Sequence, residues 1–260
     1  MSAAQNGRLQ DKVVIILGAS NTASMGAATA RRFAREGAKL VLAARNKDNL
    51  DAIAAETGAL AVVCDIRKED DIAALAAAAI AKYGRIDVAI NYSGVNSAAS
   101  ILEVTRETLE EACSVHLVGT ALFLKHMALN MKHGGSLITT TSLTALVAPP
   151  GLSAYAGSKK GADQIVRIAA GELGALGIRV NSIAPGFTRS EMTEGYFAIP
   201  TLEAAFQREI PLGRLGTVDD IANAALWLAS DESASTTGQV IDVTSGQSLR
   251  RTPTNQEMMG

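Results

Sequence analysis

"VVIILGASNTASMGAATARRFA" (13–34) decides how the rest of the chain is read. Five apolar, mostly β-branched residues run into Gly18, a polar turn follows, and a helical pattern opens at Met25 and Gly26. A dinucleotide-binding turn spaces three glycines as G-x-G-x-x-G. Here seven residues separate Gly18 from Gly26 and none of them is glycine. Taken alone, the stretch fits a simple strand-to-helix connection as well as a phosphate site. A helix start offers unpaired N–H groups and partial positive charge to an anion. Gly26 would let a phosphate approach closely, and Ser24 is placed to cap the helix and to donate its hydroxyl to a phosphate oxygen.

Outward from this turn, short apolar runs alternate with longer helical patterns. Strands are expected at 12–18, 39–44, 60–65, 86–91, 135–142, 178–184 and 239–244. Several runs are apolar on both parities, as required when helices cover both faces of a parallel sheet. The expected fold is therefore α/β, a doubly wound seven-stranded parallel sheet with helices on both faces, built as a single domain over 1–260. Gly37, Gly58, Gly84 and Gly177 stand where helices should end.

The chain has 260 residues, 48% of them hydrophobic, and a net charge of −2 with no basic run, which argues against a nucleic-acid partner. The N-terminus is polar, and no uninterrupted apolar stretch of about 18 residues reads as a membrane span, so a cytoplasmic protein with no membrane partner is expected. Cys64 and Cys113 lie too far apart for a C-x-x-C motif, and the three histidines lack zinc-ligand spacing, so no metal site is expected.

Cofactor choice is read from the end of the second strand. NAD-binding turns place an acid there for the ribose, whereas NADP-binding turns place an arginine for the 2′-phosphate. The sequence has Ala44 followed by Arg45, which favours NADP(H) over NAD(H). Ser20 and Asn21 are expected nearer the 2′-phosphate, and Ser24, Met25 and Gly26 at the pyrophosphate.

The chemistry is concentrated in "TTTSLTALVAPPGLSAYAGSKKG" (139–161). Tyr155 and Lys159 are four apart on a helix and share a face. The lysine charge is expected to lower the tyrosine pKa from about 10, which would make it a usable proton donor near neutral pH. Ser142, at the end of the preceding strand, is placed to hydrogen-bond the same substrate oxygen. Proton delivery to oxygen and hydride delivery to carbon together amount to carbonyl reduction.

Ser142 with Tyr155-x-x-x-Lys159, "NYSG" (91–94), "GIRVNSIAPGFTRSEM" (177–192) and "ASTTGQVIDVTSG" (234–246) resemble the short-chain dehydrogenase/reductase family over nearly the whole chain. The resemblance implies that Tyr155 is the catalytic acid/base, Lys159 a ligand of the nicotinamide ribose, and Ser142 the partner of the substrate oxygen. It also implies that Gly18 belongs to the cofactor turn. Asp65, with Ile66 beside it, would contact the adenine. Asn91 and Gly94 would lie under the adenosine ribose, and Pro185, Gly186 and Thr188 against the nicotinamide carboxamide.

Three positions depart from the family pattern. Leu17 replaces a threonine and the first turn is two residues longer. Tyr92 adds bulk beside the cofactor loop. His116 stands where the family has an asparagine that holds a water in its proton relay. His116 is expected to keep that water and to make the rate depend on pH near the imidazole pKa.

The reading is thus an NADP(H)-dependent reductase of a small apolar ketone, or dehydrogenase of the corresponding alcohol. An enoyl-thioester reductase and a catalytically silent dinucleotide sensor are the alternatives. Residues 187–216 read as a substrate lid in which Met192, Tyr196, Phe197, Ile199 and Phe206 form an apolar wall, with Arg189 available as a cationic clamp. The last eleven residues are expected to be ordered by contact with another subunit. The resemblance implies a homotetramer built on the two long helices.

Overall fold

The computed structural model describes residues 7–19 and 21–259. Ser20 lies outside them. Seven parallel strands form the central sheet: β1 (Val13–Leu17), β2 (Lys39–Ala44), β3 (Leu60–Val63), β4 (Val88–Asn91), β5 (Gly135–Thr140), β6 (Ile178–Pro185) and β7 (Val240–Val243). They lie in the order β3-β2-β1-β4-β5-β6-β7, and every pairing is parallel. All seven expected strands are present, several with ends one or more residues shorter than the apolar run, because the flanking residues turn toward helix starts.

The two-parity apolar pattern of β1 has a direct cause. Ile15 and Leu17 face one hydrophobic cluster, shared with Phe123, Met127 and Val166. Val14 and Ile16 face the other, shared with Phe33, Leu50 and Leu226. The first cluster is covered by α3 (Glu69–Tyr83), α5 (Gly119–Asn130) and α6 (Ser153–Leu173), and the second by α1 (Met25–Arg35), α2 (Lys47–Thr57) and α8 (Val218–Ala229). Gly37, Gly58, Gly84 and Gly177 close their helices with φ between +69° and +82°, the left-handed backbone that glycine adopts without penalty.

Strand order reverses between β1 and β4, so a crevice opens at their carboxyl ends. The long helical stretch expected from 105 to 132 begins as α4 (Arg106–Cys113), passes through one wider π turn (Ser114–Val118) and continues as α5. These 25 residues are long and apolar enough to cross a membrane. In the fold they pack against α3 and α6.

Residues 187–216 leave the sheet after β6 and return beside their own start. Thr188 and Arg189 pair in parallel with Gly216 and Thr217. Between these ends lie a 3-10 segment (Glu191–Ala198) and α7 (Leu202–Arg208). The C-terminal segment departs from expectation. It folds back within its own chain as α9 (Asn255–Met259), which packs on α7. Its order comes from contacts in cis: the Thr201 hydroxyl donates to the Met258 carbonyl at 2.6 Å, and Arg251 pairs with Glu209 at 2.9 Å and with Glu257 at 2.7 Å.

Candidate active site

The turn after β1 uses its glycines for its own packing. Gly18 has φ +101°, and a side chain there would come within 2.9 Å of Tyr92. A side chain at Gly26 would come within 2.5 Å of the Gly18 carbonyl oxygen. The expectation that Gly26 opens a path for phosphate is corrected: its bare Cα lets α1 start against the turn. Ser24 also differs from expectation. Its hydroxyl accepts from the Ala27 N–H at 3.1 Å and donates to the Asn21 carbonyl at 2.8 Å, so its proton is already used. Asn21 accepts from the Ala23 N–H at 2.7 Å and braces the loop rather than reaching outward. What remains for an anion are the N–H groups of Met25 and Gly26, which have no partner among the described residues.

Arg45, exposed at the end of β2, makes no ion pair among the described residues. Asp65 is bound by Arg67 through both guanidinium and backbone N–H, and this holds its carboxyl at about 2. An adenine amine there would meet an acid that already has a partner. Ile66 is buried against Gly119. Asn91 is buried too, accepting from the Ser93 N–H at 2.9 Å and so shaping the loop that carries Gly94.

Ser142 and Tyr155 meet across the crevice from this turn. Thr144 donates to the Ser142 hydroxyl oxygen twice, from its N–H at 3.1 Å and from its own hydroxyl at 3.0 Å. The Ser142 proton is thereby left unengaged by Thr144; burial raises the Tyr155 pKa, and the nearby Ser142 hydroxyl partly offsets it. The expected lowering by Lys159 is absent. The ammonium turns to the Thr140 carbonyl at 2.6 Å and lies 5.9 Å from the phenol ring centre. Lys159 is itself buried, which lowers its pKa to about 8. One helical turn further, neither carboxylate oxygen of buried Asp163 makes a hydrogen bond among the described residues.

His116 is held differently from the asparagine it replaces. Its Nε2 accepts from the Val95 N–H at 3.0 Å, which requires the proton to sit on Nδ1, 2.9 Å from the Ser158 hydroxyl. Ser158 in turn donates to carbonyls in the first turn of α6. Both ring nitrogens are occupied, and burial holds the imidazole pKa down to about 3. The expected water-holding, pH-sensitive role is corrected: His116 is a neutral strut, packed edge-on to Tyr155 at 5.2 Å.

A cavity of about 540 Å³ unites the two sides. Gly18, Ser24, Met25 and Gly94 line one part of it, and Ser142, Tyr155 and Lys159 another. Pro185, Gly186 and Thr188 complete its floor, whereas Arg45, Asp65, Ile66, Asn91 and His116 stand outside the lining. Beyond Tyr155 the walls are mostly apolar, with Leu143, Pro149, Leu152, Phe187, Met192, Tyr196 and Phe206, and carry the uncharged polar groups of Asn96, Ser190 and Thr193. Phe197 and Ile199 back this wall instead of forming it. Arg189 is no clamp, because it pairs with Glu203 at 2.9 Å and lies over the Phe197 ring.

Residues 18–248 match the family model described as Enoyl-(Acyl carrier protein) reductase. The 3-oxoacyl-(acyl-carrier-protein) reductase FabG of Thermotoga maritima is 35% identical over 250 residues, covering 92% of this chain and 98% of its own. The chain is a short-chain dehydrogenase/reductase. Within that family it is also 33% identical to 3beta-hydroxysteroid dehydrogenase 1 of Eggerthella lenta, covering 93% of this chain and 95% of that one. Among solved structures, a short-chain type dehydrogenase/reductase from Mycobacterium ulcerans superposes with a TM-score of 0.90 at 30% identity, covering 96% of this chain and 98% of that one.

Thr144, Ser158 and Asp163 were not singled out from the sequence. The i+2 threonine after Ser142 and the i+4 acid after Lys159 are visible spacings. Their significance depends on which way the side chains turn.

Proposed function

We propose that this oxidoreductase reduces an apolar ketone, or oxidises the matching secondary alcohol, with NADP(H) and with Tyr155 as proton donor and acceptor. The observation that carries this reading is the meeting of Ser142, Tyr155 and Lys159 in one apolar cavity beside a helix start. Several features fit a dinucleotide. The Met25 and Gly26 N–H groups suit its pyrophosphate, and exposed Arg45 after Ala44 suits a 2′-phosphate better than a bare ribose. Gly94 lines the same cavity as Lys159, so a ribose held by the ammonium would lie against bare backbone there.

When bound, the nicotinamide supplies or takes the hydride at the carbonyl carbon. Ser142, its oxygen saturated by Thr144, turns its proton to the substrate oxygen. Tyr155 gives its phenol proton to that oxygen as the C–O π bond opens, and Lys159, held by the Thr140 carbonyl, positions the ribose. Burial keeps the phenol protonated through neutral pH, the form that reduction needs.

The description of the matched family model favours enoyl-thioester reduction as a second reading, as does Ser24 in a lengthened first turn. The spacing of three residues between Tyr155 and Lys159 argues for the ketone, since that branch usually has six. Assay with NADPH and NADH against cyclic ketones, 3-oxoacyl thioesters and enoyl thioesters separates the readings: ketone-dependent NADPH oxidation is expected, and turnover of enoyl thioesters alone would overturn it. Exposed Leu129, Ile168 and Leu176 on and after the two long helices support a homo-oligomer, with a tetramer the expected mass in light scattering and a monomer the contrary result.

A further inference from the structure

The C-terminal segment supplies part of the substrate cavity from its own chain. Thr252, Pro253, Thr254 and Met258 line the cavity opposite Ser142 and Tyr155. Met258 also packs with the small apolar cluster of Leu202, Phe206, Ile210 and Leu215 beneath the lid. The segment is fastened at both ends. Arg251 joins Glu209 at the end of α7 to Glu257 in α9, and Thr201 at the start of α7 holds the Met258 carbonyl. The Arg250 guanidinium donates to the Arg208 carbonyl at 2.7 Å. Tail and lid are therefore bound as one cover.

The rest of the lining limits what can lie beneath this cover. Among the described residues, Lys159 is the only charged side chain on the cavity wall, and it belongs to the reacting end. The nearest candidate for a second cation, Arg189, is committed to Glu203 and Phe197. An anionic group at the far end of a substrate would be buried without a partner, which is strongly unfavourable. Along its own stretch of the wall the tail offers a long polar tether only the Thr252 and Thr254 hydroxyls, beside Pro253 and Met258.

We propose that residues 252–258 are a specificity-determining wall, which limits the site to compact, uncharged, ring-sized ketones or alcohols and keeps out acyl groups carried on a tether. The proposal deepens the ketone-reductase reading and rests on it. It separates this chain from relatives whose printed names give an acyl carrier as the substrate's bearer.

The test compares the full chain with variants lacking 251–260 or carrying Met258→Ala or Arg251→Ala, using trans-1-decalone and an acetoacetyl group on an acyl carrier protein. The full chain is expected to favour decalone by about 100-fold in kcat/KM, and loss of the tail to narrow that preference about tenfold through a higher KM for decalone. Met258→Ala and Arg251→Ala move it the same way by less, and they stand in for the truncation if that chain does not fold. An unchanged preference in all the variants, or preference of the full chain for the carrier-borne substrate, overturns the proposal. Should no form of the protein reduce decalone, the ketone-reductase reading fails, and the wall is judged by calorimetric binding of decalone. About tenfold weaker binding without the tail sustains it; equal affinity, or no binding to either form, overturns it.

Discussion

The two halves of the catalytic cavity are held by different forces. The inner half, with Ser142, Tyr155 and Lys159, rests on β5 and α6, which sit on a continuous core including Leu137, Val166 and Val180. The outer half, formed by 187–216 and the C-terminal tail, rests on a cluster of four buried side chains and a few ion pairs. On the proposed reading, the reacting groups are those fixed where apolar burial is deep, and the substrate-contacting walls are those where it is shallow. Chemistry and specificity in this molecule can therefore be altered separately.

The strongest way to sharpen the contrast is Tyr155→Phe, which leaves both halves packed. It is expected to lower kcat about 1,000-fold, as loss of a general acid does, with NADPH binding retained in fluorescence titration. A paired substitution compares the halves directly. Phe123→Ala, in the core under the inner half, should cost about 3–5 kcal/mol in urea unfolding. Phe206→Ala, which removes the ring stacked on Phe187 at 4.0 Å, should cost less than about half of that, because the cover can open without the core. Equal losses would break the contrast.

Arg45→Ala touches neither half. It should weaken NADPH about tenfold or more, the size of a charge-assisted hydrogen bond, while NADH is unaffected. A parallel loss for NADH would remove the case for 2′-phosphate recognition.

The sheet was legible in the sequence because each strand's apolar parity reports directly which faces are buried. Tyr155 and Lys159 were legible as a pair because a four-residue spacing puts them on one face of a helix, and Ser142 because it ends the run 135–142 that holds β5. The hydroxyl at Ser24 was misread: capping uses only its oxygen and leaves the proton free, but the Asn21 carbonyl takes that proton, and sequence alone does not place that carbonyl. The charge effect of Lys159 on Tyr155 was misread for a similar reason, because four residues on a helix bring two side chains near without fixing where the ammonium points. The tail was misjudged because its polar composition hid a five-residue helix, α9, that folds onto α7.

His116→Asn carries the smallest expected effect. With the imidazole neutral down to about pH 3, the kcat/KM profile between pH 5 and 8 should keep its shape in the variant. Stability responds with a definite sign. The unfolded chain takes up the imidazole proton near its ordinary value of 6.5 and the folded chain only near 3, so the wild-type chain should lose stability relative to the variant as pH falls below about 6.5. An imidazole inflection in the wild-type profile that the variant lacks would restore the proton-relay role.

The placement of the two chain ends bears on how the protein is handled. Gly7 and Leu9 are anchored beside Glu36, at the end of α1 and so on the edge of the sheet away from the cavity. The other end closes the cavity itself. An affinity handle fused after Gly260 would extend the segment that walls the substrate, and kinetic constants from such a fusion would describe the handle as much as the enzyme.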